Sequence, residues 1–577
     1  MVALATLPAV AAAASLLGNH WHANGDQALE LLRIGDVGGR HTPLVGAWSR
    51  WGWAHPGPLL FWVLAPFEWL FGATGVLVGT GLLNALAVGG AVLVGYRRGG
   101  VQLALLVALV EAVLAHALGL GVLVDPWNPW AAFLPFVLFL LLVWCVLCDD
   151  FVMLPIAVAV GSFSLQTHAG YLPLVGGLLV VAAGWTAWCG VRARPQEGGA
   201  TPSPAPNATH ALAVSAIVAV VVWSAPLVQQ VTGDSGNLGD LVSYARAPEE
   251  SPVGWTLAFG VMGAQLRVPG PWITGDDDPN IYGLAMTAST IPALIIAVVL
   301  VACVWWAYRR GSRDAARLAV VALLVLGLGL VATARATPNS FIPYVLRWWW
   351  AIAAIAAVAV AWTAMTTCPA RFRRFATTAV FLGLVVTTAV ALAGLPAPVP
   401  GPGLSRGMAA LGEPTAEGLD PERRYLVRGE DERTFRAATS ALYVELDRRG
   451  FDVFARPGKH AERSYGSWRL AQPEDVDAIV TIVNLAELGT AWQPPGGSRR
   501  IAFWDQLTVA QRARARELEA GIRSDLGERA PPGRVLLDSS YARDVAVALG
   551  AQRDEVDELH DLQELGDGYA VYVSPAP

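Results

Sequence analysis

The sequence predicts a polytopic α-helical membrane protein followed by a soluble C-terminal α/β domain. Of the 577 residues, 54% are hydrophobic and 15% are charged, whereas an ordinary soluble domain has roughly 25% charged residues. The first 400 residues hold 18 basic and 17 acidic side chains, and the remaining residues hold 22 and 29. Hydrocarbon therefore surrounds most of the first part, and water surrounds the second. The net charge of −6, without a long basic run, excludes a nucleic-acid partner.

The membrane part contains about eleven apolar runs of the length that a membrane helix needs, roughly 20 residues. The predicted spans are 2–18, 75–96, 102–123, 131–148, 151–166, 171–191, 211–231, 286–308, 316–334, 342–365 and 376–395. The first run lacks the basic start of a signal peptide and has further spans behind it, so it is read as a membrane helix.

Arginine-containing short loops set the expected orientation. If the spans alternate, four basic loops fall on one side of the membrane: 97–98, 192–194, 309–317 and 371–374. Basic loops favour the cytoplasm. We therefore expect a multi-pass protein of the plasma (inner) membrane with a cytoplasmic N-terminus, and with everything after residue 395 outside.

The C-terminal part follows a Pro/Gly-rich linker predicted over residues 396–423, after a membrane module over 1–395. Short strands are predicted at 424–428, 451–455, 478–483 and 500–504, and helices at 434–449 and 508–524. This order favours an extracytoplasmic α/β domain over 424–577. It has no glycine-rich phosphate loop and no metal-spaced His/Cys set, so no catalysis of its own is assigned.

The first outer loop, 20–72, carries the strongest functional pattern. Asp26 lies a few residues after the first span and begins a short helical pattern, in which Glu30 follows at i+4 on the same face. Leucines on the other face allow this helix to lie at the membrane surface. His55 begins a His-Pro-Gly-Pro break, and 59–70 forms a second interfacial helix before the next span.

This order of features resembles the GT-C glycosyltransferases, membrane enzymes that use polyprenyl-phosphate sugars. They include protein O-mannosyltransferases, lipid A aminoarabinose transferases and actinobacterial arabinosyltransferases. In the family, the acid of the first outer loop is catalytic, which matches Asp26, and a Gly-Asp pair matches Gly35 and Asp36. The family's Lys-Pro-Pro-Leu matches the segment that starts at His55, with histidine in place of the lysine that meets the donor phosphate in some members. The resemblance covers roughly residues 1–190.

Sugar transfer from a lipid phosphate to a hydroxyl needs a base near the hydroxyl and cations near the departing phosphate. We expect Asp26 to be the general base, with Glu30 or Asp36 orienting the acceptor or a divalent cation. The acceptor is expected to be a cell-envelope glycan, a lipid or a protein, with arabinan or mannan as examples. A structural interpretation stays open for each acid: a helix N-cap for Asp26, a solvated helix face for Glu30 and a turn for Asp36.

Cations and polar groups at the outer ends of the spans complete the candidate site. The candidates for the donor phosphate are Arg347, placed about a turn into the tenth span, Arg335, His55 and Arg50. The alternative for the arginines is contact with lipid headgroups. Gln166 and His168 are candidates for the acceptor cavity. The outer loop 232–285 is long enough to act as an acceptor lid, and its acidic run at 276–278 is read as a solvated turn rather than a calcium site.

Two other functions remain open at this point. A transporter or lipid flippase would use Glu111, which lies near the middle of the third span, where an acid is costly. A non-catalytic envelope scaffold would bind a polymer or a protein through the C-terminal domain and would not need Asp26. Transporters commonly show internal repeats with broken helices, and no such repeat is evident in the sequence.

Overall fold

The computed structural model describes residues 1–192, 205–233, 236–248, 250–276, 281–430, 436–485, 488, 492–527, 546–547, 549–565 and 568–577. Parts of three predicted features lie outside these ranges: the basic loop beyond 192, the acidic run at 277–278 and the helix start at 434. The chain divides into two compact units. The first unit comprises Met1–Leu17, Leu44–Val63 and Leu77–Ala397, and the second comprises Gly18–Pro43, Leu64–Val76 and Pro398–Pro577. Two segments of the first outer loop thus group with the C-terminal domain.

Helices account for most of the described chain. In chain order they are α1 Val2–Ser15, α2 Gly25–Gly35, α3 Leu59–Leu118, α4 Leu120–Val124, α5 Asn128–Ala131, α6 Phe133–Leu147, α7 Met153–Thr167, α8 Leu172–Arg192, α9 Ala205–Thr232, α10 Asn237–Arg246, α11 Gly254–Gln265, α12 Pro271–Thr274, α13 Ile281–Thr287, α14 Ile291–Arg309, α15 Arg313–Arg335, α16 Trp348–Thr367, α17 Ala370–Leu392, α18 Pro402–Glu417, α19 Ala437–Arg448, α20 Lys459–Tyr465, α21 Val509–Leu526 and α22 Arg553–Glu564.

The prediction of a polytopic membrane protein is confirmed. Among the described residues, eight helices are long and apolar enough to cross a membrane: Leu59–Leu118, Asn128–Leu147, Ala169–Arg192, Asn207–Thr232, Ile291–Arg309, Arg313–Arg335, Trp348–Thr367 and Ala370–Leu392. Two apolar helices, Val2–Ser15 and Met153–Thr167, are shorter. The count of about eleven spans stays a prediction.

The long helix α3 contains three of the predicted pieces. Gly72 and Gly100 have φ angles of +65° and +62°, a region that glycine enters without the steric cost of a Cβ. They separate the expected interfacial helix 59–70 from the expected spans 75–96 and 102–123. A Cβ on Gly95 would lie 3.2 Å from Val107 and 3.3 Å from Ala104. The pieces on either side of Gly100 therefore fold back against each other.

The core of the first unit lies around α6, whose residues are almost all buried. Tryptophan fills much of the remaining space, and two buried indole N–H groups at the start of α16 have polar partners, as is usual for this side chain. The Trp349 indole donates to the Thr333 hydroxyl and the Trp350 indole donates to the Gln265 side-chain oxygen, both at 3.1 Å. These bonds tie the start of α16 to α15 and α11.

The second unit contains a five-stranded sheet, which confirms the α/β class of the C-terminal domain. The strands are β1 Arg424–Glu430, β2 Asp452–Ala455, β3 Ala478–Asn484, β4 Arg499–Trp504 and β5 Tyr569–Pro575. Their order across the sheet is β2-β1-β3-β5-β4. The β1 strand is parallel to both β2 and β3, whereas β5 is antiparallel to β3 and β4. The four predicted strands are present, and only β5 was missed.

The predicted linker over 396–423 is wrong in its middle part, because it contains the helix α18. Met408, Leu411 and Thr415 lie at helical spacing and are buried. Pro402 occupies the first turn, where its missing N–H costs nothing. Proline and glycine dominated the sequence interpretation here, and the apolar spacing was overlooked.

Candidate functional site

The helix α2 carries the acid that the sequence identified as the candidate base. Its buried side contains Ala28, Leu31 and Ile34, as the periodicity predicted. Asn24 occupies the N-cap position, so the interpretation of Asp26 as the N-cap residue is wrong. Asp26 instead lies in the first turn and is exposed. A carboxylate is favoured there because the first turn carries the positive end of the helix dipole.

Glu30 lies one turn further along α2 but in a different environment. The residue is 2% exposed, whereas Asp26 is exposed. The expectation of a solvated face for Glu30 is therefore wrong. The burial keeps Glu30 away from solvent, and the two acids do not form one open acidic surface.

Asp36 lies directly after α2 and is held by two arginines. The Arg33 guanidinium donates to Oδ2 of Asp36 at 2.6 Å. Arg469, from the C-terminal domain, binds both carboxylate oxygens at 2.9 Å each. The Asp36 side chain is only 8% exposed, so a solvated turn does not describe it. Bidentate arginine–carboxylate pairs are among the stronger hydrogen-bonded contacts in proteins.

The N-terminal end of α2 lies against the start of α19. The Ser440 hydroxyl donates to the backbone carbonyl of Gly25 at 3.1 Å, and a Cβ on Gly25 would lie 3.7 Å from the Cβ of Ala437. His460 of α20 lies within electrostatic range of Asp26. Burial lowers the pKa of His460, and the Asp26 carboxylate acts in the opposite direction.

In the first unit, His55 and His168 form a buried pair. Their ring centroids are 4.8 Å apart. Nδ1 of His55 accepts the Ala169 N–H at 3.0 Å, and Nδ1 of His168 accepts the Gly170 N–H at 3.2 Å. Burial, with a smaller contribution from His168, lowers the pKa of His55 well below 6.5, and burial lowers the pKa of His168 to about 4. Both rings are therefore neutral near pH 7, and His55 supplies no positive charge for a phosphate.

Gln166 is fully buried and packs against the proline-rich break. Its side-chain nitrogen donates to the Val222 carbonyl at 2.7 Å. A Cβ on Gly57 would lie 2.0 Å from the side-chain oxygen of Gln166. A side chain at position 57 would therefore displace the buried side chain of Gln166. Gln166 and His168 thus contact backbone of their own unit.

Arg347 lies at the N-cap position of α16, because the helix begins at Trp348 rather than at the predicted 342. The placement a turn into the span is therefore wrong. The residue is 9% exposed. Its guanidinium lies over the Trp350 ring at 3.9 Å and over the Trp130 ring at 5.0 Å. Aromatic faces stabilise a cation that has lost part of its hydration.

The other two arginine candidates are more exposed to solvent than Arg347. Arg335 is the last residue of α15 and is exposed. Arg50 is also exposed, and its guanidinium donates to the Tyr344 hydroxyl at 2.9 Å. Arg50, Arg335 and Arg347 all belong to the first unit.

Two further expectations from the sequence are a divalent cation near the acids of the outer loop and a role of Glu111 in transport. Among the described residues, no group of three or more His, Cys, Asp or Glu side chains could hold a metal ion. Glu111 is 1% exposed, and neither carboxylate oxygen has a hydrogen-bond partner within the described ranges. Glu111 belongs to the first unit, whereas the three acids of the outer loop belong to the second.

Sequence reasoning missed the residues of the C-terminal domain that surround α2. Arg469, Ser440 and His460 lie more than 400 positions from α2 in the sequence. Periodicity and short motifs carry no signal over such a distance.

The chain shares its fold with ArnT from Cupriavidus metallidurans. The structure of that protein bound to undecaprenyl phosphate matches with a TM-score of 0.50 and 16% sequence identity, over 87% of this chain and 95% of that chain. Its apo structure matches with a TM-score of 0.41 and 15% identity over the same shares. No protein-family model and no curated protein sequence matches the chain. The fold that the sequence resemblance implied is thus confirmed by the likeness to ArnT.

Proposed function

We propose that this chain, which has the fold of ArnT, is a membrane glycosyltransferase that uses a polyprenyl-phosphate sugar as donor. The observation that carries the proposal is the fold match to a structure that binds undecaprenyl phosphate, over 87% of this chain and 95% of that chain. The transfer takes place on the extracytoplasmic side, to an acceptor hydroxyl of an envelope glycan, a lipid or a protein. The sugar is arabinose or mannose, by analogy with the envelope enzymes that share the loop pattern.

Asp26 is the general base in this proposal. Of the three acids in the first outer loop, Glu30 is buried and Asp36 is held by Arg33 and Arg469. Asp26 is exposed in the first turn of α2, where an acceptor has access to its carboxylate. Exposure therefore favours Asp26 over the other two for contact with substrate.

The reaction requires one proton transfer and one displacement at the anomeric carbon. The Asp26 carboxylate takes the proton of the acceptor hydroxyl as its oxygen forms a bond to the anomeric carbon. The bond between that carbon and the phosphate oxygen breaks, and the electron pair leaves with the polyprenyl phosphate. A positioned general base contributes roughly 10²–10⁴ to the rate of such a step.

Arg347 is the proposed contact of the donor phosphate. It lies at the start of α16 between the rings of Trp130 and Trp350. A guanidinium held in one orientation offers two parallel donors to a phosphate. His55 is withdrawn from this role because it is neutral near pH 7. Arg335 and Arg50 remain secondary candidates because both are exposed.

The activity is tested with the purified protein and a panel of radiolabelled polyprenyl-phospho-sugars. We expect one donor to be consumed and Asp26→Asn to lower its consumption at least about 100-fold. Asp554→Asn is the matched control, because Asp554 is an exposed acid in the first turn of α22. It should leave the rate within about twofold of the wild type.

Two results would count against the proposal. If the wild-type protein consumes no donor of the panel, a non-catalytic scaffold becomes the better interpretation. If Asp26→Asn retains the wild-type rate, the base is another residue. The phosphate contact is tested separately by donor binding: Arg347→Ala should weaken it about tenfold or more, and Arg335→Ala should change it less.

A further inference from the structure

The helix that carries Asp26 is held at both ends by side chains of the C-terminal domain. At its N-terminal end, Ser440 binds the carbonyl oxygen of Gly25. At its C-terminal end, Arg469 binds Asp36. The helix has 11 residues, which corresponds to roughly 16 Å at 1.5 Å per residue. Contacts this far apart fix both the position and the direction of the helix axis.

The contact at the C-terminal end is built from several groups. Arg469 donates to both carboxylate oxygens of Asp36, and its side chain is 15% exposed. The Trp468 ring stacks on the His41 ring, with centroids 3.8 Å apart and an angle of 11° between the planes. The guanidinium groups of Arg33 and Arg469 lie over the same ring at 5.1 and 5.2 Å. The Trp468 ring of the C-terminal domain therefore contacts both Arg33 and His41 of the first outer loop.

Arg469 faces two carboxylates of this cluster, those of Asp36 and Asp447. Arg33 and Arg469 are positive, and Asp36 and Asp447 are negative, with Asp447 3.9 Å from the Arg469 guanidinium. Burial raises the pKa of Asp447, and Arg469 acts in the opposite direction. Without Arg469, Asp36 is left with Arg33, and Asp447 is left with the weaker influence of Arg448. Loss of one partner of a buried pair is costly because the other charge is left uncompensated.

We propose that Arg469 is a positioning residue of the transferase: through Asp36 it fixes the helix α2 and so the carboxylate of Asp26. This inference rests on the proposed function, because it assumes that Asp26 acts in the reaction. It also gives the Gly-Asp pair at Gly35 and Asp36 a role. Asp36 anchors the helix to the C-terminal domain and takes no part in the chemistry.

A positioning role predicts a specific kinetic pattern. A base displaced by about 1 Å can cost about 100-fold in rate, whereas the proposed donor contact Arg347 belongs to the first unit and Arg469 to the second. We therefore expect Arg469→Ala to lower kcat about 10- to 100-fold and to change the KM of the donor by less than about twofold. Arg469→Lys keeps the charge but loses the two-pronged geometry, so its kcat should lie between those of the wild type and Arg469→Ala.

The route through Asp36 is tested by a double-mutant cycle. Asp36→Asn and Arg469→Ala should each lower kcat, and the double variant should be no worse than the more impaired single variant. Arg456→Ala is the control, because Arg456 is an exposed arginine of the same domain. It should behave like the wild type. Additive losses, or a wild-type kcat in Arg469→Ala, would overturn the proposal.

Hydrogen exchange of the α2 amides gives a readout that does not need catalysis. In the full-length protein, amides 27–35 should exchange faster in Arg469→Ala than in the wild type, and those in Arg456→Ala should not. If Asp26→Asn turns out to be fully active, the proposed base is wrong while this exchange still tests the anchoring. If exchange in α2 is unchanged in Arg469→Ala, the anchoring is wrong, whatever the activity of Asp26→Asn.

Discussion

The two halves of the first outer loop are attached to their surroundings by different chemistry. Residues 18–43 are held by contacts to charged side chains: Asp36 pairs with Arg33 and Arg469, and His22 is hydrogen-bonded to the Glu445 carboxylate at 2.9 Å. The buried contacts of residues 44–63 are neutral hydrogen bonds, such as that of His55 with the Ala169 N–H, whereas the charged contact of Arg50 with Tyr344 is exposed. The first half groups with the α/β domain, and the second half groups with the membrane helices.

This difference follows the solvent of each half. Among apolar helices an unpaired charge is expensive, so polar contacts there use amide and imidazole groups without net charge. In a domain that water reaches, ion pairs cost less to form and respond to salt and pH. The proposed base lies on the ionic half. The position of this half should therefore change when a single charged side chain is removed. The neutral half should instead respond to changes in packing and to acid.

The largest expected effect on stability is at Asn237 of α10, whose side chain holds Ala54 of the neutral half. Its side chain accepts the Ala54 N–H at 2.8 Å and donates to the Ala54 carbonyl at 2.9 Å, and both residues are buried. Asn237→Ala leaves two buried backbone groups unsatisfied, at about 1–3 kcal/mol each. We expect a loss of about 4 kcal/mol, measured by thermal unfolding in detergent. Ser243→Ala, at an exposed position of α10, should cause little change. Equal melting temperatures for Asn237→Ala and Ser243→Ala would show that the Asn237 side chain does not stabilise the fold as expected.

The second-largest effect is a loss of stability at acidic pH that originates at His168. Its folded-state pKa of about 4 lies below the usual 6.5, so the unfolded chain binds the proton first as the pH falls. Stability is complete above about pH 6.5 and is lost as the pH falls towards 4, by roughly 3 kcal/mol. His168→Gln removes this contribution. The wild type should therefore lose more stability than the variant between pH 7 and pH 4.5. Equal losses of stability in the wild type and in His168→Gln would show that protonation of His168 is not the cause.

The smallest effect is expected at Glu68, in the segment Leu64–Val76, which also groups with the α/β domain. Its carboxylate accepts from the Arg448 guanidinium at 2.7 Å, and the arginine side chain is 37% exposed. Solvent screens such a pair, so Glu68→Gln should cost less than about 1 kcal/mol. The cost should shrink further in 0.5 M salt, with Glu474→Gln as an exposed control. A loss as large as that of Asn237→Ala would remove the distinction between the halves.

The candidate site could be predicted in part. Asp26 and α2 were identified because a helical pattern and an acid in its first turn are local features. The role of Asp36 could not be identified, because its partner Arg469 lies 433 positions away in the sequence. His55 was expected to be a cation because histidine stood where the resembling family has lysine. Burial beside His168 makes it neutral, and burial is a property of the packed chain.

The sequence by itself determined the class of a polytopic membrane protein, the α/β class of the C-terminal domain and four of the five strands in its described part. Hydropathy and periodicity are properties of neighbouring residues, and solvent acts on them directly. Tertiary structure decided which acids are exposed, which cations are neutralised and which domain holds α2. These outcomes depend on contacts between distant parts of the chain, since the protonation and availability of a side chain are set by the groups packed around it.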